Sequence, residues 1–131
     1  MARNVAIIIL YDQDKKILLQ HRAEDAERLP GYWAFFGGGI EAGETPEQAV
    51  KRETLEELNY TLKNPRLIMK QDFLSKDETN EKHVFVEEFD PSKKITLGEG
   101  QNFGWFHLSE ISGLKIIDHD IEVLKYIKEK Y

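Results

Sequence analysis

The segment from Gly38 to Tyr60, GGIEAGETPEQAVKRETLEELNY, constrains this chain more than any other. Thr45 is a good helix N-cap, Pro46 suits the first helical position, and Gln48 completes a capping box. Val50, Thr54 and Leu58 recur at i, i+4 and i+8 and make a buried stripe. The pattern predicts a helix from about Pro46 to Leu58. At about 100° per residue, Glu53, Glu56 and Glu57 gather on a face turned away from that stripe. Glu44 and Arg52 sit at its entry and within it. Carboxylates repel one another, so a helix gains no stability by gathering them on one side.

Two explanations fit such a face. A hard cation such as Mg²⁺ takes oxygen ligands, a few from protein and the rest from water and substrate phosphate. The glycines Gly37, Gly38 and Gly39 allow a tight backbone path that can bring a carbonyl to the same cation. A solvated acidic face salted with Lys51 and Arg52 has the same composition, and the spacing on its own leaves both open.

The order of residues resembles the Nudix box, G-x5-E-x7-R-E-U-x-E-E-x-G-U, with U a bulky apolar residue. Gly38 is followed by Glu44, by Arg52-Glu53, by Glu56-Glu57 and by Asn59-Tyr60. The last glycine is replaced by Asn59, which tolerates a left-handed helix end almost as well. Thr54 and Tyr60 take the bulky positions. GETPEQAV at the helix entry, the upstream LLQHR and the downstream EGQ before a Trp-containing strand are similar to the MutT-type nucleoside triphosphate pyrophosphohydrolases. Phe36 stands where such chains carry a proline.

Composition sets the remaining bounds. With 131 residues the expectation is one domain over 1–131. Cysteine is absent, which excludes disulfides and thiolate metal sites and fits a reducing compartment, expected to be the cytoplasm. The first apolar run is too short to span a membrane, so no membrane partner is expected. A net charge of −6 without a basic stripe argues against a nucleic-acid polymer as partner and leaves room for a small anionic nucleotide. Nothing in the sequence fixes an oligomeric state.

Along the chain, Val5 to Tyr11 reads as a strand buried on both faces and Ile17 to His21 as its return. Asp12 and Asp14 resemble the start of a calcium loop, but the later ligands are missing and a hairpin turn is expected. Ala23 to Gly31 reads as a polar loop, and Tyr32 to Phe36 as a short aromatic strand. Pro65 to Leu74 and His83 to Phe89 read as paired strands joined by the polar Ser75 to Lys82. A loop around Ile95 to Leu97 precedes a strand from Phe103 to Leu108. Ser109 begins a turn, and Asp118 caps a last helix whose period is set by Ile121, Leu124, Ile127 and Lys128. This order predicts an α/β fold with a mixed central sheet and a helix on either face, and the resemblance implies the same Nudix-type α/β/α sandwich.

The resemblance also implies roles. Glu53, Glu56 and Glu57, with the Gly38 carbonyl, would hold Mg²⁺, with Mn²⁺ as a substitute. Arg52 would orient a box glutamate, and Glu44 would share that task. Glu99, in Gly98-Glu99-Gly100, would be a further metal ligand or the catalytic base, a role for which Glu53 competes. Arg22 would bind phosphate, with Arg28 a weaker candidate, and Asp118 would read the base. Most of Tyr32, Trp33, Phe35, Phe36, Phe103 and Trp105 are expected in the core. The four histidines have no ligand spacing and read as structural or surface residues. The implied activity is Mg²⁺-dependent hydrolysis of a nucleoside diphosphate linked to X, first a nucleoside triphosphate, intact or oxidised, giving a monophosphate and pyrophosphate. The alternatives are a nucleotide sugar, a dinucleoside polyphosphate, or a non-catalytic nucleotide-binding module.

Overall fold

The computed structural model describes residues 4–26, 29–75, 77–97 and 102–130. Its centre is β1 (Val5–Tyr11), whose middle five residues are all buried. Even-numbered side chains of β1 (Ala6, Ile8, Leu10) enter one core with Phe36, Val50 and Leu58. Odd-numbered ones (Ile7, Ile9) enter a second core with Val84, Val123 and Ile127. Strand side chains alternate between faces, so a continuous apolar run supplies both layers at once.

β2 (Ile17–His21) returns from β1 through a turn in which Asp12 Oδ1 accepts from the Asp14 and Lys16 amides at 2.9 and 2.8 Å. Asp12 is thus spent on the turn, as expected of a hairpin. β1 pairs with β4 (Phe36–Gly39) along Val5 to Ile8 and meets β2 at Tyr11. On its other side β1 runs parallel to β6 (Glu78–Glu88), and β5 (Arg66–Ser75) follows antiparallel as the sheet edge. β2 pairs with β3 (Trp33–Ala34) and with β7 (Asn102–Phe106). The sheet is therefore mixed. α1 (Pro46–Leu58) covers one face and α2 (Asp118–Lys130) the other.

Several local expectations change. The aromatic segment is two strands, β3 and β4, broken at Phe35, because the chain leaves β2 there and crosses to β1. Ser75 to Lys82 is not a polar joint: Ser75 pairs with Glu78, and β6 already runs from there. β7 ends at Phe106, and Leu108–Gly113 forms a 3₁₀ turn. Phe35 and Phe36 are buried, but Phe103 is exposed. Asp118 is the first residue inside α2 rather than its cap, since the Ile121 amide already bonds to Ile117 O. In α2 Val123 is buried and Lys128 exposed, so the lysine does not belong to the apolar stripe.

Candidate active site: a carboxylate helix against a glycine strand

α1 begins and ends as its residues dictate. The Gln48 amide donates to Thr45 Oγ1 at 3.1 Å and the Thr45 amide donates to Gln48 Oε1 at 2.9 Å, closing the capping box. At the other end Asn59 adopts φ 52°, the left-handed cap that the box glycine would otherwise supply. Ala49, Val50, Thr54 and Leu58 are buried; Glu53 and Glu57 lie against Gly38 and Gly37 of β4, and Glu56 is exposed beside Arg52.

Those glycines are required by contact. Gly37 has φ 145°, and a Cβ there would stand 2.2 Å from the Ala6 carbonyl oxygen across the ladder. A Cβ on Gly38 would stand 2.6 Å from the Glu53 carboxyl. Glycine thus lets the helix carboxylates lie against the strand backbone.

Arg52 organises one half of the cluster. Its Nε and Nη2 donate to Glu44 Oε2 and Oε1 at 2.7 and 3.0 Å, a bidentate grip. Nη2 also reaches Gly39 O at 3.0 Å, and Nη1 reaches Glu53 Oε1 at 2.9 Å and Glu56 Oε2 at 3.4 Å. The Arg52 hydrogen bond holds Glu44 well below the ordinary carboxylate range, at about 2. Arg52 itself is raised by Glu44 and Glu53.

Glu57 makes the other half. Its Oε1 accepts from the Gly37 amide at 2.9 Å. Burial pushes its carboxyl up to about 7; Glu53 and Glu56 add to the rise, while the Gly37 hydrogen bond and the Arg22 charge work against it. Arg22, which follows β2, is thus within electrostatic reach of the cluster. The structure brings together Gly38, Glu44, Arg52, Glu53, Glu56, Glu57 and Arg22. Asp118 is exposed at the start of α2 and is not in this group. Glu99 and Arg28 lie outside the described residues.

Among the described residues no three Asp, Glu or His side chains converge closely enough to enclose a cation as they stand. Glu53 and Glu56 are drawn to Arg52 and Glu57 to Gly37. The donors are nonetheless all oxygen, and a carboxylate raised by burial and then by two like-charged neighbours is a group whose ionised form a divalent cation would favour.

A second polar cluster was not foreseen. Lys82 on β6 and Asp120 on α2 form a buried ion pair at 2.5 Å, with His119 Nδ1 2.6 Å from the Lys82 ammonium. The His119 ring stacks on Phe73 at 4.6 Å, and Gln71 Nε2 donates to His119 O at 2.8 Å. The partners are 38 residues apart, so no local spacing announces them. The sequence offered no signal for it, because Lys82 falls in the segment that reads as a polar joint.

A family model described as the NUDIX domain matches residues 1–127. The nucleoside triphosphatase NudI of Escherichia coli (strain SE11) is 40% identical over 62 residues, which is 47% of this chain and 44% of that protein. The chain thus matches less than half the length of such curated relatives. Among solved structures, a MutT protein from Methanosarcina mazei Go1 superposes with a TM-score of 0.85 at 18% identity, covering 98% of this chain and 94% of that one. An Ap4A hydrolase from C. elegans gives a TM-score of 0.78 at 20% identity, covering 98% and 96%. At these identities the solved structures speak for the fold.

Proposed function

The chain belongs to the NUDIX domain family, and from that premise we propose that it is a divalent-metal-dependent pyrophosphohydrolase acting on a nucleoside diphosphate linked to X, with a nucleoside triphosphate as the first substrate. The observation that carries this reading is Glu57, half-buried against the Gly37 amide with its carboxyl raised to about 7 beside Glu53 and Glu56. Members of the family generally use a divalent metal. Here Glu53, Glu56 and Glu57, with the Gly38 carbonyl, would hold Mg²⁺ or Mn²⁺, which supplies charge neutralisation at phosphate and a more acidic water.

The chain's own residues divide the remaining work. Arg52 fixes Glu44 and Glu53, so the carboxylates meet the substrate already oriented. Glu53 takes the proton of the attacking water as its oxygen bonds to phosphorus and the bridging P–O bond breaks. Glu99 is the alternative base and an additional metal ligand. Arg22 steers the anionic phosphates, a role supported by its electrostatic reach to Glu57. Asp118, exposed at the start of α2 and outside the carboxylate cluster, would meet the base at the far end of a bound nucleotide. The partner is a small nucleotide.

Hydrolysis of a nucleoside triphosphate with Mg²⁺ in ¹⁸O water, followed by mass spectrometry, tests this reading. The expected products are nucleoside monophosphate and pyrophosphate, one of them labelled. Labelled orthophosphate with accumulating diphosphate would overturn it. NudI is named a nucleoside triphosphatase, which favours the triphosphate over a nucleotide sugar.

A further inference from the structure

β5 ends the sheet, and its outer edge pairs with no strand among the described residues. Leu67, Lys70, Asp72 and Leu74 lie opposite Phe85, His83, Glu81 and Thr79 of β6. Those partners alternate regularly along β6, so all four β5 residues share one face; the bulge between Leu67 and Met69 keeps Leu67 in the row. All four are exposed, Leu74 at 73% and Leu67 at 44%. The row reads apolar, positive, negative, apolar.

Within the chain the two charges are poorly served. Asp72 faces Glu81, a like charge, and Glu81 is itself engaged by His83 at 2.8 Å. Lys70 faces His83. Neither Lys70 nor Asp72 has an ion-pair partner among the described residues.

A two-fold axis perpendicular to the sheet and passing through Gln71 changes this. It lays a second β5 antiparallel to the first, with Lys70 of each copy opposite Asp72 of the other. Leu74 of each copy then reaches the end of the other's row, where Leu67 stands. Shifting the axis to Lys70 or Asp72 sets like charges face to face, so the row selects one register. A lone lysine on an edge strand blunts pairing, but an aspartate two residues on makes this edge complementary to itself. We propose that β5 is a homodimer interface, at which a second copy of this chain adds its own β5 antiparallel about Gln71 and continues the sheet.

Sedimentation equilibrium of the full chain over a range of concentrations tests this, with Lys70→Glu, Asp72→Lys, the swap Lys70→Asp/Asp72→Lys, and Leu74→Lys. Circular dichroism confirms that each variant is folded. The wild type should be dimeric. Each single charge reversal sets like charges together twice and should weaken the dimer by about tenfold or more. The swap should restore it to within about threefold. Leu74→Lys should weaken it, and turnover should not change, since α1 packs on β1 and β4 rather than β5. A wild type that stays monomeric at every concentration overturns the proposal. So does a dimer indifferent to the single reversals, or a swap no tighter than they are.

Discussion

The molecule gathers charge in two places, and it does so by opposite means. On α1 the carboxylates Glu44, Glu53, Glu56 and Glu57 come from one helix and its entry and are partly open to water; one arginine holds the first three and the Gly37 amide holds Glu57. Beneath α2 a lysine from one strand meets an aspartate from a distant helix, and both are almost wholly buried. The first cluster carries more negative charge than its cation balances, so it has affinity to spare for a ligand. The second is balanced within itself: burial pushes the Asp120 carboxyl up, but His119 and Lys82 outweigh it and hold it below the ordinary range. An imbalanced, accessible cluster has charge available to a ligand; a balanced, buried one joins a helix to a sheet.

The largest effect should come from breaking the buried pair. Asp120→Ala leaves the buried Lys82 ammonium without its counter-charge and should cost about 3–5 kcal/mol in urea unfolding, whereas the double replacement Lys82→Met/Asp120→Leu should recover most of that loss. If the double variant is as unstable as the single one, the pair does more than balance charge. At the other cluster, Glu57→Gln keeps size and removes charge. It should lower turnover by about 10²-fold with little change in unfolding. A near wild-type rate would show that Glu57 is not among the working carboxylates.

The two clusters also differ in how they were legible. The carboxylate helix is local: cap, stripe and acidic face lie within one short segment, and the Arg52–Glu44 grip links residues eight apart. β1 is similarly plain, because one apolar run must feed both cores. Lys82 stood in a segment that reads as a polar joint; the β5–β6 ladder places it in a strand, and its contacts with Asp120 and His119 show that it faces α2. His119 reads as a structural or surface residue at a helix start, and the sequence does not decide between the two for the same reason: its partners, Lys82 and Phe73, come from strands far away in sequence. The split of the aromatic segment into β3 and β4 was hidden because the residues on both sides of the break suit a strand, and only the change of pairing partner separates them.

Smaller effects follow from pH. Glu57 is raised in the fold, so it must give up a proton to take a cation; divalent-metal affinity should climb as pH rises through about 7 and level off above it. Proton release measured by calorimetry in buffers of different ionisation enthalpy reads this directly. Asp120 is depressed, so its contribution to stability is present above 3.8 and is lost as pH falls through its lower folded value. Acid unfolding of the wild type beside the Lys82→Met/Asp120→Leu variant should show that loss only in the former.

Calorimetric titration of Mg²⁺ into the substrate-free protein at a pH above that of Glu57, for the wild type, Glu57→Gln and the double Lys82→Met/Asp120→Leu, tests directly whether the open cluster is the working one. The wild type and the double variant should bind with the same affinity, and Glu57→Gln should bind at least about tenfold more weakly. Unchanged binding in Glu57→Gln, or its loss in the double variant, would contradict the assignment of metal to α1.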